Sequence, residues 1–202
     1  QGNEINGLSL AGVGTGTTID HIEIVANQDD GVEWFGGTCD ATNVFVWNCG
    51  DDGIDTDQSW SGTLNNFVVI GAIGHAFELD GPEGSFEDGH MITNGSIKMT
   101  FDGRTTEDII NVDDNSIVDL SNLYFTDIVD GLLISEDDDL PFSLVPGVTF
   151  NNIQLNVDAA NLGNFVNDAT IPAGIEAGTT PQADVSVFDW TWASQAGGLS
   201  GL

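Results

Sequence analysis

Positive charge is almost missing from this chain. Two basic residues, Lys98 and Arg104, stand against 33 acidic ones in 202 residues, for a formal net charge of −31. Such a surface cannot neutralise itself through ion pairs, so it either tolerates self-repulsion or recruits cations. It also disfavours nucleic acid, anionic membranes and acidic polymers as direct partners, because each presents the same sign of charge. No apolar run approaches the roughly 18 residues a membrane-spanning helix needs, so membrane insertion is not expected. Cysteine is limited to Cys39 and Cys49, with no Cys-x-x-Cys pattern of the kind that holds zinc. A disulfide bracing one turn of chain and a pair of buried free thiols are both open alternatives. Helical periodicity is nearly absent, with residues 158–167 the one plausible short helical turn. The chain begins Gln1-Gly2-Asn3-Glu4, without an initiator methionine, as a processed or excised segment would.

What the chain does have is a repeat. Asp29-Asp30-Gly31-Val32-Glu33-Trp34 returns as Asp51-Asp52-Gly53-Ile54-Asp55-Thr56 at a distance of 22 residues. Each copy follows a short apolar alternation, Ile19, Ile22, Ile24 before the first and Ala41, Val44, Val46 before the second. Two short strand patterns and a turn at a fixed period are the signature of a solenoid, in which one repeat is one coil. Anchors at Ile22, Val44, Phe67, Ile97, Leu123 and Ile153 give steps of 22, 23, 30, 26 and 30 residues. Loops inserted at the turns account for the longer steps, since closure entropy rises only slowly with loop length. With 40% hydrophobic residues in regular alternation, disorder is not expected and one domain is. The expected organisation is an incomplete first coil over 1–16, coils over 17–157 and a C-terminal cap over 158–202, where Phe188, Trp190 and Trp192 cluster. No comparable N-terminal cap is visible, and an uncapped coil invites pairing with another chain, so a homo-oligomer or homopolymer is expected.

Gly2-Asn3-Glu4-Ile5-Asn6-Gly7-Leu8, Gly12-Val13-Gly14-Thr15-Gly16-Thr17-Thr18-Ile19, Asp29 through Thr38, and Gly50-Asp51-Asp52 together resemble a large group of secreted or surface-anchored bacterial proteins. The Trp190-Thr191-Trp192-Ala193 ending is similar to theirs too. More distantly, the chain is similar to the pectate-lyase-like β-helix superfamily. The resemblance is close over residues 1–60 and at the C-terminus. It implies an all-β, right-handed parallel β-helix and an extracellular or cell-surface location, and it supplies no established activity.

Three site readings follow from the residues. In a strand, alternate side chains face opposite ways, so with Val32, Trp34, Ile54, Thr56, Phe77 and Leu79 inward, Glu33, Asp55 and Glu78 face outward. Stacked at roughly 4.8 Å, they form a column of like charges that is unfavourable unless something positive bridges it. This column, with the turn acids Asp29, Asp30, Asp51 and Asp52 and the neighbouring Asp57 and Asp80, offers the oxygen ligands that Ca²⁺ prefers. A solvated acidic face is the alternative, and the column is expected to end at Asn111 and Leu133. The second reading is a glycan-hydrolysing site, with Asp30, Asp51, Asp52 and His75 as candidate catalytic groups in a polygalacturonase-like order ending at Ser96-Ile97-Lys98. Lys98 weakens it, because it belongs to the other strand of its coil. The third is an extracellular polysaccharide-binding surface using Trp47 and Trp60 as exposed aromatics. His21, His75 and His90 are expected to be structural or solvent-facing, and Asn94-Gly95-Ser96 fits a short glycosylation pattern. A non-enzymatic structural or surface protein stabilised by Ca²⁺ is the favoured expectation.

Overall fold

The computed structural model of the chain describes residues 5–113, 115–136, 141 and 145–202. The alternating pattern resolves into two parallel sheets. Strands β1 (Leu8–Val13), β3 (Val32–Gly37), β5 (Ile54–Asp57), β7 (Phe77–Leu79), β11 (Ile110–Val112) and β13 (Ile134–Glu136) stack in that order as sheet A. Strands β2 (Ile19–Val25), β4 (Ala41–Trp47), β6 (Thr63–Ile70), β8 (His90–Lys98), β12 (Val118–Thr126), β14 (Val148–Leu155) and β15 (Ile175–Ala177) stack as sheet B. The chain passes from one sheet to the other and back, so each coil contributes a strand to both, and the fold is a parallel β-helix. A short antiparallel hairpin, β9 (Thr100–Phe101) with β10 (Arg104–Thr105), is inserted between β8 and β11.

The interior is filled by one residue set from each sheet. Val32, Trp34, Ile54, Phe77, Leu79, Ile110 and Val112 from sheet A meet Val44, Val46, Phe67, Val69, Ile97, Leu123 and Phe125 from sheet B, all essentially inaccessible to solvent. Each such side chain contributes roughly 1.5–3 kcal/mol by leaving water. The glycine of the Asp-Asp-Gly turn is required by this packing. A Cβ on Gly31 would sit 2.5 Å from both the Gly53 carbonyl oxygen and a Val46 methyl.

The register differs from expectation at one coil. Phe67 pairs with Gly95, and Ile97 pairs with Val69, so the anchor of the fourth coil is a glycine. The cause is the Phe67 ring, which would lie 2.2 Å from a Cβ at Gly95. The side chain of one coil fills the place of the next.

A second repeat fixes the register outside the core. His21, Asn43, Asn66, Asn94, Asn122 and Asn152, each one residue before an anchor position, have φ between 52° and 60°. Asparagine tolerates this left-handed conformation better than most residues, and it kinks β4, β6, β8, β12 and β14 at the same point, with His21 in its place in β2. The amides then bond along the stack: Asn66 donates to Asn43 (2.7 Å), Asn122 to Asn94 (3.1 Å) and Asn152 to Asn122 (2.9 Å). Asn94 therefore belongs to a strand ladder, and the Ser96 of its glycosylation pattern is fully buried.

The C-terminal cap has two parts. A 3₁₀ helix over Ala159–Phe165, capped by the Asp158 carboxylate, brings Leu162 and Phe165 onto the core together with Val166 and Ile175. The chain then runs back along the outer face of sheet B through a 3₁₀ turn, Val185–Phe188, and a one-turn helix α1, Trp192–Gln195. Ser96 Oγ accepts the N–H groups of Gln182 and Ala183 at 3.0 Å, and Asn66 Oδ1 accepts that of Asp184 at 2.7 Å. Phe188 meets Phe45 edge-on at 5.5 Å, inside a second apolar cluster with Trp47, Val68, Ile70 and Ala193. We refer to residues 178–202 as the clasp.

Cys39 and Cys49 are buried free thiols. They occupy the turns at opposite ends of the seven-residue strand β4, and no disulfide joins them.

Candidate functional site

The outward column forms as the alternation requires. Glu33 pairs with Asp55, Asp55 with Glu78, and Glu78 with Asn111, which is followed by Ser135. The column therefore ends at Asn111 and Ser135, and Leu133 lies in the turn before β13. Two of these carboxylates are withdrawn from solvent, while the Glu78 side chain is 32% exposed. Glu33 is 9% exposed and Asp55 8%, because side chains repeating at every coil cover one another.

The turn acids stand beside the column. Asp30, Asp52, His75 and Asp108 occupy the same place in successive coils, two residues before the first inward residue of sheet A. The three aspartates hold the main chain of the following coil. Asp30 Oδ1 accepts the N–H of Asp52 at 3.1 Å, Asp52 Oδ1 accepts that of His75, and Asp108 Oδ1 accepts that of Leu133 at 2.6 Å. Half of the Asp-Asp pair thus has a structural duty in every coil where it occurs. Asp108, which pattern reading missed, also accepts the Ser135 hydroxyl at 3.2 Å. Its signal was its place two residues before Ile110.

Three groups of ligating atoms result, the atoms of each lying within 4.8 Å of one another: Asp29, Asp30 and Asp51; Asp30, Glu33 and Asp55; and Asp52, His75 and Glu78. Asp57, at the end of β5, and Asp80, just after β7, belong to none of these groups, although their charges act on Glu33 and Glu78. His75 is neither isolated nor solvent-facing. Its Nδ1 is 3.0 Å from Asp52 Oδ1 and 3.9 Å from Glu78 Oε1, an ion-pair approach outside hydrogen-bond angles.

Crowding sets the protonation. Burial, then the charges of Asp30 and Glu33, pushes the Asp55 carboxyl up to about 10. Burial, then the Asp52 carboxylate, pushes Glu78 up to about 9. Burial raises Asp30 to about 7, against the pull of the Asp52 N–H, and also raises Glu33 and Asp51. Burial alone would lower His75, but the Asp52 and Glu78 carboxylates hold it up at about 9. Asp52 stays below the usual carboxylate range because His75 outweighs the burial. At neutral pH the column thus retains protons that hard cations could replace, and an all-oxygen donor set fits such a cation.

Neither tryptophan offered as a glycan platform is exposed. Trp60 is 1% exposed, stacks on Trp34 at 4.4 Å and donates its indole N–H to the Cys39 carbonyl at 3.0 Å. Trp47 does face away from the core, as the alternation demands, but the clasp covers it to 7%. His90 is also interior, lying against Trp60 with a ring separation of 4.9 Å, and burial lowers it to about 3. Lys98 is at the end of β8 in sheet B, where its ammonium donates to the carbonyls of Gly198 and Ser200 in the clasp. It stands apart from His75 and the turn acids, as its place in the other strand required.

No helix among the described residues is long and apolar enough to cross a membrane. No curated protein and no solved structure matches the chain. Among protein families, residues 1–195 match the pectate-lyase like beta helix domain. With that match running through the sheets, the turn acids and most of the clasp, the chain belongs to the pectate-lyase-like β-helix family.

Proposed function

We propose that this is a non-enzymatic extracellular or cell-surface structural β-helix in which Ca²⁺ bridges the acidic turns of neighbouring coils. The observation that carries the reading is the sharing of Asp30 between two groups made only of carboxylates, Asp29–Asp30–Asp51 and Asp30–Glu33–Asp55, which span adjacent coils. A cation held there replaces mutual repulsion with attraction across the stacking direction and displaces the retained protons. An extracellular setting is common for pectate-lyase-like β-helix domains. Assembly belongs to the same reading: β1 and β2 each pair on one side only among the described residues, and such an edge accepts a strand from a second copy.

The test is thermal unfolding with and without millimolar Ca²⁺, with light scattering on the same samples. A clear rise in Tm supports bridging, and growth in particle size supports assembly. An unchanged Tm sinks the cation reading, and a monodisperse monomer in Ca²⁺ sinks the assembly.

A second reading, glycan binding with hydrolysis, is favoured by one observation: Asp52, His75 and Glu78 converge at the turn beside the column. In that reading Asp51 and Asp52 supply the acid and base for inverting hydrolysis. Pectin hydrolysis by the wild type that disappears in an Asp51→Asn, Asp52→Asn variant would replace the structural reading with this one.

A further inference from the structure

The five tryptophans divide into two sets. Trp34, Trp47 and Trp60 are buried, whereas Trp190 is 46% and Trp192 59% exposed. The exposed pair flanks Thr191, which is fully buried and caps α1 by accepting the Ser194 N–H at 3.0 Å. With Thr191 turned inward, the indoles on either side are left on the outside of the clasp. Their backbone is fixed: the Glu23 carboxylate accepts the N–H groups of Trp192 at 3.1 Å and Ala193 at 2.8 Å. The rings are supported too, Trp192 by Trp47 at 5.4 Å and Trp190 by the His21 imidazole at 6.1 Å. Two large apolar faces are thus held rigidly in water by a segment that buries Phe188 completely.

A groove of about 300 Å³ opens between the clasp and the β9–β10 hairpin, and Trp47, on which Trp192 rests, forms part of its wall. Its apolar part is Trp47 with Phe101, whose rings meet edge-on at 5.1 Å. Its polar part is Asp102 and Asp127, both exposed, with Lys98 already bonded to clasp carbonyls. Trp47 also carries a buried indole N–H with no hydrogen-bond partner.

We propose that Trp190, Trp192 and this groove form a binding site for a neutral oligosaccharide. A pyranose ring has an apolar C–H face and a polar rim, so it stacks on an indole while its hydroxyls seek acceptors. The exposed indoles supply the stacking faces, and the Asp102 and Asp127 carboxylates accept hydroxyl protons in the groove. Charge selects against anionic sugars, because two carboxylates line the groove, its one ammonium is engaged, and the whole chain carries −31. The site lies on the outer side of sheet B, away from the acid column, and it does not depend on Ca²⁺.

The experiment is calorimetric titration of the full chain with cellohexaose, mannohexaose and xylohexaose, with hexagalacturonate as the anionic comparison, followed also by tryptophan fluorescence. At least one neutral hexaose binds and shifts the emission. Trp192→Ala weakens that binding about tenfold or more, as loss of a stacking anchor does. Trp190→Ala, whose ring rests on the His21 imidazole, weakens it while leaving Tm and circular dichroism unchanged. Asp55→Asn in the acid column leaves it unaltered, which separates this site from the cation reading. Absence of binding by all three neutral hexaoses at millimolar concentration, preference for hexagalacturonate, or wild-type affinity in Trp190→Ala would each overturn the proposal.

Discussion

The outer faces of the two sheets meet one problem, a side chain that recurs in every coil at roughly 4.8 Å, with different chemistry. On sheet B the recurring group is the amide of Asn43, Asn66, Asn94, Asn122 and Asn152. An amide carries donors and an acceptor, so neighbouring copies can satisfy each other, as they do except where Asn94 donates to Asn65 and Asn66 Oδ1 accepts the Asp184 N–H. On sheet A the recurring group is the carboxylate of Glu33, Asp55 and Glu78, which when ionised only accepts. Such a stack closes only by holding protons or admitting cations. The faces also differ in cover. Sheet B adds an apolar patch that the clasp seals, and sheet A keeps Glu33 and Asp55 buried by their own crowding while Glu78 stays partly exposed. One backbone repeat therefore supports a face that is complete in itself and a face that depends on solution conditions.

The sharpest way to break the comparison is to unseal sheet B. Phe188 is fully buried against Phe45, so Phe188→Ala is expected to lose about 3–5 kcal/mol in denaturant unfolding. A loss below about 1 kcal/mol would mean the clasp contributes little to that face. A smaller effect is expected from placing the chemistry of one face on the other. Asn122 donates to Asn94 at 3.1 Å and accepts from Asn152 at 2.9 Å. Asn122→Asp removes the donor and leaves Asn94 Oδ1 unpaired, at a cost of about 1–3 kcal/mol. Unchanged stability in that variant would show that the ladder tolerates a carboxylate, and the contrast between the faces would lose its basis.

These contrasts were unevenly legible in the sequence. The coils, the inward residues of sheet A and the outward acids followed from alternation alone, because alternation states which side of a strand a residue takes. The fourth anchor did not, because Phe67 supplies the volume that Gly95 lacks and Ile97 resembles an anchor only by hydrophobicity. The asparagine series carried the register from the second coil on and stood one residue before every anchor position but the first, where His21 takes its place. Trp47 was placed on the correct side of β4 yet is buried, since its cover comes from Phe101 and from the clasp, including Trp192, 145 positions later, a pairing that no local pattern encodes. The same limit hid the Asp52–His75 contact, in which two turns 23 residues apart become neighbours only after the coil has closed.

The smallest predicted effect tests the dependence of sheet A on its surroundings, and its sign is fixed by proton counting. The Asp55 carboxyl rises from an ordinary 3.8 to about 10, and the Glu78 carboxyl from 4.5 to about 9. Between these limits the native chain binds protons that the unfolded chain releases, so stability falls as pH rises. His75 acts in the same direction: its imidazolium contribution is complete below 6.5 and is lost as pH rises through about 9. Wild-type Tm in the absence of divalent cations is therefore expected to fall between pH 5 and pH 9. Asp55→Asn imitates the protonated group at every pH. At pH 9 it is expected to recover about 1 kcal/mol, or roughly 2–4 °C of Tm, with little change at pH 5. The loss on sheet B in Asn122→Asp has the opposite sign, which keeps the two faces distinguishable in one set of melting curves. If Ca²⁺ occupies the column, its stabilisation grows with pH because it competes with those same protons. A wild-type Tm that is flat from pH 5 to pH 9, or equal in Asp55→Asn at both ends, would mean that the column does not couple protons to folding.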